Sequence, residues 1–482
     1  MTLRSQLFAV KPVAVLLAEM EGEHRLRRVL GPVSLTALGV GAIIGAGIFV
    51  LTGFAAHDEA GPGLILSFVV AGIGCALAAL CYAEFASMVP VAGSAYTYAY
   101  ATLGELLAWI IGWDLVLEYG VASSAVAHGW SEYCLSFLNL FGVTLPERWT
   151  NTPIDIQQAT NMWFTTGDYC NLPAALIVLF ITAVLIVGIR ESAGFNAGMV
   201  ILKVLVVLLV IALGAGYVRT ENWHPFLPFG WGGVMRGASY VFFAYIGFDS
   251  VSTHAEEARN PRRDVPIGIV ASLALCTVLY ISVAAVLTGM VPYTEINIEA
   301  PVAAAFASRG LRVAEFFISL GAVVGITSVL LVLLLSQARV LLAMARDGLI
   351  PREFFAAVHP RFRTPHKATI LTGVMVAFVA ALFPLRFLAK LVNIGTLLAF
   401  VIVCAAVWVM RRTNPQVPRP FRTPLVPLVP LAGMCMNFWL MYHLGWENWV
   451  RLVVWLLIGL LIYFFYGRKR STMALQRAAA PR

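Results

Sequence analysis

The sequence has 482 residues, of which 60% are hydrophobic and 12% are charged, and its mean hydropathy is +0.84. So few charges over this length exclude an ordinary soluble protein and indicate a polytopic helical membrane protein. The formal net charge of +8 does not indicate a nucleic-acid partner; its distribution along the chain is more informative.

Twelve apolar segments are long enough to cross a membrane as helices of about 20 residues each. They are 33–57, 63–89, 103–129, 173–189, 194–217, 233–255, 266–291, 312–345, 367–384, 388–411, 424–444 and 447–467. The first 30 residues of the chain are polar and basic, and no small-residue cleavage site follows the first apolar segment. We therefore expect that segment to be a retained crossing and not a signal peptide.

Lysine and arginine residues concentrate on one side of these crossings. With the N-terminus in the cytoplasm, 24 of the 33 fall in cytoplasmic tails and connections, eight fall on the other side, and Lys203 lies within a crossing. The positive-inside rule then predicts that both termini are cytoplasmic. We expect the chain in the plasma membrane, or in the inner membrane if it is bacterial.

The seven cysteines are scattered, without the spacing of metal ligands. Cys134 and Cys170 flank the longest outer loop, residues 131–172. If this loop faces an oxidising space, the two thiols are candidates for a disulfide. The sequence leaves that pairing open.

The first crossing contains the glycine-rich stretch GVGAIIGAGIF, residues 39–49. Glycine is a poor helix former, and non-helical backbone at membrane depth occurs only where protein or a water-filled cavity surrounds it. The pattern predicts that the helix opens near residues 44–47 and exposes N–H groups that favour a carboxylate. On this stretch alone, close packing of helices through small residues explains the glycines equally well.

The sixth crossing carries a matching interruption, FAYIGFDS, at residues 243–250. Paired interruptions in corresponding crossings of two halves are the best sequence indication of a transporter binding site. The first half of the sixth helix is predicted to end with carbonyls that lack intrahelical donors, at Phe243, Ala244, Tyr245 and Ile246. Free N–H groups suit a carboxylate and free carbonyls suit an ammonium, so the two breaks together fit an α-amino acid zwitterion.

Five ionisable residues lie within the predicted crossings, where charge is costly and is a functional candidate by default: Glu84, Asp114, Glu118, Lys203 and Asp249. Lys203 is surrounded by apolar residues, and desolvation favours the neutral form of an amine, which predicts a proton carrier. The alternative is a lysine that joins two helices through carbonyl contacts.

The acidic residues allow several interpretations. Asp114 and Glu118 are four residues apart and share one helix face; Glu118 faces either a substrate side chain or another helix. Asp249 is interpreted as the cap of the half-helix that follows the break. Glu84 is interpreted as a gate or a structural partner.

Three stretches carry a family resemblance: GAIIGAGIF (41–49), FAYIGFDSVSTHAEEARNPRRDVP (243–266) and LLSQARVLLAMARDGLIP (334–351). The chain resembles the amino acid–polyamine–organocation superfamily, in its cationic amino acid transporter branch. The resemblance implies an all-α polytopic membrane protein with twelve transmembrane helices, in a five-plus-five inverted repeat with broken helices one and six. The implied parts are an N-terminal tail (1–32), two repeats (33–217 and 233–411), helices eleven and twelve (424–467) and a C-terminal tail (468–482).

The resemblance also implies alternating access around an amino acid site near the bilayer midplane. The implied substrate-binding residues are Ile43, Gly45, Ala46 and Gly47 in the first break, Phe243, Ala244 and Ile246 in the sixth, and Glu118 and Ile326 near the side chain. Amides of the first break are expected to hold the carboxylate, and carbonyls of the sixth the ammonium. Lys203 stands where sodium binds in other members, which implies proton coupling.

Ile326 departs from the pattern of the branch. Relatives that carry cationic side chains tend to have a small residue at this position of the eighth crossing. A branched apolar side chain there predicts a narrower pocket that favours small or aliphatic neutral amino acids.

The sequence therefore predicts a secondary active amino acid transporter, proton-coupled and independent of sodium. Symport and exchange both stay open, and a transport-like receptor is the alternative. No repeated filter motif indicates a channel, and no HExxH or nucleophile elbow indicates an enzyme. The expected partners are an amino acid, a proton and the lipid bilayer; no cofactor or metal is expected, and the chain is expected to be a monomer.

Overall fold

A computed structural model gives the fold and describes residues 7–12, 30–89, 94–157, 162–187, 193–362 and 364–473. Most of the two predicted tails lies outside these residues. The helices of twelve or more residues are α1 (Pro32–Ile43), α2 (Leu64–Met88), α3 (Glu105–Asn139), α4 (Leu172–Val187), α5 (Ala193–Gly214), α6 (Gly230–Val241), α7 (Pro261–Met290), α8 (Arg312–Arg346), α9 (His366–Leu382), α10 (Leu385–Thr413), α11 (Leu428–His443) and α12 (Trp446–Ile462).

Shorter elements complete the described chain. Besides short 3₁₀ turns, the helical ones are the π-helices Gly47–Leu51, Ala55–Ala60 and Tyr463–Gly467 and the short α-helices Thr52–Phe54, Ser94–Thr102, Ser250–Thr253, Pro301–Ala307, Arg352–Phe355 and Arg468–Arg470. A small antiparallel hairpin, β1 (Ile154–Ile156) and β2 (Trp163–Thr165), lies in the predicted outer loop and pairs Ile154 with Thr165.

Seven helical stretches among the described residues are long and apolar enough to cross a membrane. They are Gly47–Met88, Glu105–Asn139, Gly198–Tyr217, Pro261–Met290, Arg312–Arg346, Leu385–Thr413 and Trp446–Arg470; three shorter apolar helices are Pro32–Ile43, Leu172–Val187 and His366–Leu382. A helical membrane protein is therefore confirmed. The count of twelve crossings and the inverted repeat stay predictions.

The core of the bundle lies around α3 and α7. α3 packs along α8 and α10, and α7 packs along α1 and α2. Large apolar side chains, such as Phe180 and Phe378, are exposed on the outer helices α4 and α9, as expected of surfaces that face lipid.

The terminal segments meet at one end of the bundle. The Lys11 ammonium lies 3.1 Å from Oδ1 of Asp347, and the Thr472 N–H donates to the Asp347 carbonyl at 2.9 Å. Asp347 follows the last residue of α8 directly. The described parts of both tails therefore lie on the same side of the protein.

The two loop cysteines are not paired. Cys134 and Cys170 are both free thiols with partly exposed side chains. The candidate disulfide is therefore absent. Other contacts hold the loop, since the ring of Trp149 packs 5.1 Å from that of Tyr169, beside Cys170.

Candidate functional site

The first crossing is interrupted where the glycine pattern predicts. α1 ends at Ile43, and Ile44 is extended (φ −72°, ψ 104°) while its N–H still donates to the Val40 carbonyl at 2.9 Å. The chain returns to helical conformation at Ala46 and continues as a π-helix from Gly47. Because the first N–H groups of a helix have no carbonyl one turn earlier to accept them, this new start offers donors to a ligand.

The sixth crossing is interrupted over a longer stretch. α6 tightens into a 3₁₀ turn over Phe242–Tyr245, Ile246 is extended (φ −59°, ψ 134°), and a short helix restarts at Ser250–Thr253. The Phe243 carbonyl accepts the Ile246 N–H at 3.2 Å, so this carbonyl has a donor, contrary to the prediction. A carbonyl oxygen has two lone pairs, and one remains for a ligand.

The two interruptions lie directly against each other. A side-chain carbon at Gly47 would overlap the Cα of Ala244, and one at Gly247 would lie 2.8 Å from the Ala42 carbonyl oxygen. Gly247 also has a φ of +118°, which residues with side chains rarely adopt. Glycine is therefore required at both positions, and the main chains of the two breaks pack closely against each other.

A buried tyrosine of α7 joins the two breaks. The Tyr280 hydroxyl lies 2.8 Å from the Ile43 carbonyl oxygen and 3.0 Å from that of Ala244. On the α10 side, the Asn393 amide donates to the Tyr240 carbonyl at 3.0 Å. Carbonyls that the breaks release are thus partly satisfied by side chains of neighbouring helices, as membrane depth requires.

Lys203 of α5 contacts the end of α1. Its side chain is fully buried, and its Nζ donates to the Gly41 carbonyl at 2.6 Å. A side-chain carbon at Gly325 of α8 would lie 3.3 Å from the Lys203 Cγ. Lys203 therefore lies where α1, α5 and α8 meet. The residue that it contacts, Gly41, precedes the break at Ile44 by three residues.

The residue of α8 that contacts the first break is Val329. A side-chain carbon at Gly45 would lie 2.8 Å from its Cγ2 atom. Ile326 lies one turn earlier on the same face of α8 and is fully buried. The sequence pattern predicted a role for Ile326 and missed Val329. The three-residue spacing between them, which puts both on one helix face, could have identified Val329.

α3 covers the first break from another side. A side-chain carbon at Gly129 would lie 2.9 Å from the Ala46 Cβ. One turn later, the Tyr133 hydroxyl donates to the Phe49 carbonyl at 2.8 Å. Neither α3 residue was predictable from the sequence, because nothing local distinguishes them from ordinary core positions.

Asp114 and Glu118 lie further along α3, in a buried acidic cluster. Both are 1% exposed, and the two carboxylate oxygens of Asp114 lack hydrogen-bond partners among the described residues. A side-chain carbon at Gly395 of α10 would lie 2.8 Å from the Asp114 carboxylate. Glu118 precedes Gly129 by about 16 Å along the helix. Glu118 is therefore distant from Gly129, the α3 residue that contacts Ala46 of the first break. The sequence predicts Glu118 beside the substrate side chain.

Asp249 lies next to this cluster. It precedes Ser250–Thr253 but makes no capping bond to that helix; its Oδ2 accepts the Tyr119 hydroxyl at 2.7 Å. The predicted capping role is therefore wrong, because the carboxylate is directed to α3 instead. Thr396 of α10 neighbours Glu118, and its hydroxyl donates to the Val392 carbonyl at 3.2 Å.

Glu84 belongs to a separate ion-pair network near the end of α2. Its carboxylate lies 2.7 Å from Nη2 of Arg411 and 3.3 Å from Nε of Arg419, and it accepts the Thr423 N–H at 2.8 Å. These contacts attach the connection after α10 to α2. They favour the interpretation of Glu84 as a structural partner.

A charged cavity of about 560 Å³ lies at the far end of the first crossing. Asp58 pairs with Arg386 at 2.9 Å, and Glu59 pairs with Arg236 at 2.9 Å. These ion pairs connect the first crossing to α10 and to α6. No group of histidine, cysteine and acidic residues within the described part of the chain has the geometry of a metal site.

Residues 30–474 match the family model for amino acid permeases. The chain is similar to the methylthioribose transporter of Bacillus subtilis (strain 168), with 48% identity over 97% of this chain and 99% of that protein. It is 50% identical to the branched-chain amino acid permease BcaP of the same organism, over 98% of this chain and all of the permease. It is also 33% identical to human cationic amino acid transporter 4, over 93% of this chain and 88% of the relative.

Proposed function

The chain belongs to the amino acid permease family, a family of membrane transporters and not of enzymes, and on this premise we propose that it is a secondary active transporter of L-α-amino acids. It works by alternating access, takes small or aliphatic neutral amino acids in preference to cationic ones, and couples their uptake to protons without sodium. Exchange of amino acids across the membrane is the alternative mode, and a receptor without net transport is the second alternative.

The observation that carries this proposal is the contact between the two interrupted helices. Gly47 packs on Ala244 and Gly247 packs on Ala42, so the main chains of the two interrupted crossings lie side by side. In the proposed site the N–H groups of Gly45, Ala46 and Gly47 bind the carboxylate. The carbonyls of Phe243, Ala244 and Ile246, beside Ile43, bind the ammonium.

The polar contacts at the two ends of the bundle support alternating access. At one end, the pair Asp58–Arg386 closes the first crossing against α10 at 2.9 Å. At the other end, Asp347 binds Lys11 at 3.1 Å and accepts the Tyr96 hydroxyl at 2.6 Å. Alternating access requires that each set breaks in turn, because a substrate leaves only through an open end.

Proton coupling is assigned to Lys203. A protonated ammonium donates to the Gly41 carbonyl and holds α1 against α5 and α8, whereas a neutral amine makes a weaker contact. Loss of the proton therefore loosens the half-helix that precedes the substrate site. Glu118, in the acidic cluster, is proposed to act on the cytoplasmic side of the amino acid.

The preference for a small or aliphatic side chain rests on α8. Ile326 and Val329 present branched apolar side chains on the face that contacts the first break. The branched-chain amino acid permease at 50% identity is consistent with this preference. The 48% identical methylthioribose transporter makes methylthioribose a second candidate substrate. That sugar lacks the carboxylate and the ammonium for which the breaks supply partners.

The membrane topology completes the proposal. We assign twelve crossings, a first five-helix repeat over 33–217 and an inverted second repeat over 233–411, with helices eleven and twelve over 424–467. Both termini are assigned to the cytoplasm, where lysine and arginine concentrate. The transporter is proposed to act as a monomer in the plasma membrane, or in the inner membrane of a bacterium.

The test is uptake into proteoliposomes with an imposed proton gradient and no sodium. Accumulation of labelled alanine or valine supports the proposal, and saturable binding without accumulation supports a receptor. Counterflow without gradient-driven accumulation supports an exchanger. Accumulation of labelled methylthioribose that excess valine does not inhibit would contradict the amino acid assignment.

A further inference from the structure

A groove of about 660 Å³ lies on the outside of the bundle, away from the two helix breaks. Its long wall is α7, where Ile267, Val270 and Ala274 are exposed and Ala271 is half-buried. Leu80 of α2 lines the opposite side. Because α7 is apolar and long enough to cross the membrane, this part of the groove lies among lipid chains.

The mouth of the groove is basic. Arg262 and Arg263, in the first turn of α7, line it together with Asn260, and all three side chains are exposed. Neither guanidinium forms an ion pair or hydrogen bond with any residue that the structure describes. The neighbouring acid, Asp264, is buried and accepts the Asn260 N–H at 3.2 Å.

The remaining wall is held in place by a buried network. Pro420 and Phe421, in the connection between α10 and α11, close the groove opposite α7. The Phe421 N–H donates to the Ser87 hydroxyl at 3.2 Å. Two residues later, the Thr423 N–H donates to the buried Glu84 carboxylate at 2.8 Å. The groove is therefore preformed, with its shape fixed by polar contacts that lipid does not reach.

The dimensions fit one membrane lipid. From Arg262 to Ala274 the helix rises about 18 Å, comparable with half of the roughly 30 Å hydrocarbon thickness of a bilayer. A phosphate at the two arginines would thus lie at the height of the headgroups, with an acyl chain along the apolar wall. Planar guanidinium groups bind phosphate oxygens in pairs, which gives specificity for this headgroup atom.

A second surface groove shows what the arginine pair adds. It has a volume of about 500 Å³, lies near Trp130 and Trp149, and has only uncharged residues among those that line it. Apolar grooves thus occur on this surface with and without a basic mouth. Charge complementarity distinguishes the groove beside α7, and it points to an anionic occupant.

We propose that the groove between α2, α7 and the α10–α11 connection binds one anionic glycerophospholipid, with its phosphate on Arg262 and Arg263 and an acyl chain along α7. The site is independent of the amino acid site, so it does not rest on the proposed transport activity. Its occupant comes from the leaflet on the side where the two tails meet.

The test is native mass spectrometry of the delipidated full-length protein, titrated with phosphatidylglycerol or phosphatidylcholine of identical acyl chains. We expect one tight site that binds phosphatidylglycerol about 10- to 30-fold more strongly than phosphatidylcholine. This factor corresponds to about 1 kcal/mol of attraction to an anionic lipid from each of the two arginines. The double substitution Arg262→Gln and Arg263→Gln should remove this preference. The control Arg361→Gln and Arg412→Gln removes the same charge from exposed positions outside the groove and should preserve it.

A second variant tests the apolar part. Ala271→Trp fills the groove and should abolish the tight site while the arginines remain. Equal binding of both phospholipids to the unmodified protein, or a preference that survives loss of both arginines, would overturn the proposal. Tight cholesterol binding that Ala271→Trp removes and the double arginine substitution does not would show that the groove takes a sterol instead.

Discussion

Substitution of Lys203 separates proton coupling from substrate binding. The Lys203 Nζ is buried and donates to the Gly41 carbonyl at 2.6 Å. Lys203→Met removes both the bond and the proton. Lys203→Arg retains a cation and five N–H donors, but a guanidinium does not release its proton in proteins. If Lys203 carries the proton, both variants should lose proton-driven accumulation.

The size of the effect follows from the bond that is lost. A hydrogen bond to a charged group contributes about 1.5–3 kcal/mol, which corresponds to roughly a 10- to 150-fold change in an equilibrium constant. For Lys203→Met we therefore expect accumulation driven by a proton gradient to fall by about this factor. Because the proposed substrate ligands are main-chain groups of other residues, binding of the amino acid should change much less.

The assay compares two measurements on the same proteoliposomes. Gradient-driven uptake reports coupling, and counterflow against unlabelled amino acid at equal pH reports binding and exchange. Lys203→Arg should retain counterflow and lose gradient-driven uptake. The matched control is Lys367→Met, which removes an exposed lysine and should change neither.

Two results would refute this reasoning. Proton-driven accumulation by Lys203→Arg at the level of the unmodified protein would show that the residue joins helices and carries no proton. Uptake by the unmodified protein that requires sodium would exclude the assigned coupling ion, although the fold and the amino acid site would stand.

Three further substitutions test the site. Gly247→Ala forces a side chain into a conformation with φ of +118° and should reduce uptake by about 5- to 150-fold, from the roughly 1–3 kcal/mol of such strain. Gly216→Ala, at a position without neighbours within 4 Å, should leave uptake unchanged, and equal uptake by both variants would contradict the account. Tyr280→Phe removes the hydroxyl that contacts the carbonyls of Ile43 and Ala244 and should lower the free energy of unfolding by about 1–3 kcal/mol. Thermal denaturation measures this loss, with the exposed Tyr217→Phe as the control. An unchanged melting temperature of Tyr280→Phe would argue that the hydroxyl does not join the two breaks. Ile326→Ser should take up labelled arginine, which the unmodified protein is expected to take up poorly. If the unmodified protein takes up arginine as well as valine, the proposed preference for small or aliphatic side chains is refuted.

Hydropathy was sufficient to predict most of the helices. α2 and α8 begin and end within about one residue of the apolar segments 63–89 and 312–345. α3 continues ten residues beyond its predicted end at residue 129. There Ser131 bonds the Asn171 side chain at 2.9 Å, and tertiary contacts of this kind have no local sequence signal.

The breaks were predictable, but the residues that complete them were not. Glycines at 45, 47 and 247 indicated where helices open, because few other residues tolerate those conformations or contacts. Tyr280 lies 237 residues from Ile43, whose carbonyl it contacts, and no pattern near either residue indicates that pairing. The structure also places Asp249 against Tyr119, which removes the capping role predicted from its position alone.

The most direct test of the amino acid site uses derivatives that lack one charged end. Binding of valine, valine methyl ester and N-acetylvaline to the purified protein is measured by calorimetry at one pH. The cradle formed by the two interrupted helices predicts that each derivative binds at least about tenfold more weakly than valine, because each loses a charged hydrogen-bonding group worth about 1.5–3 kcal/mol. Equal affinity of either derivative and valine would show that the main chain of the two breaks does not hold that end of the substrate.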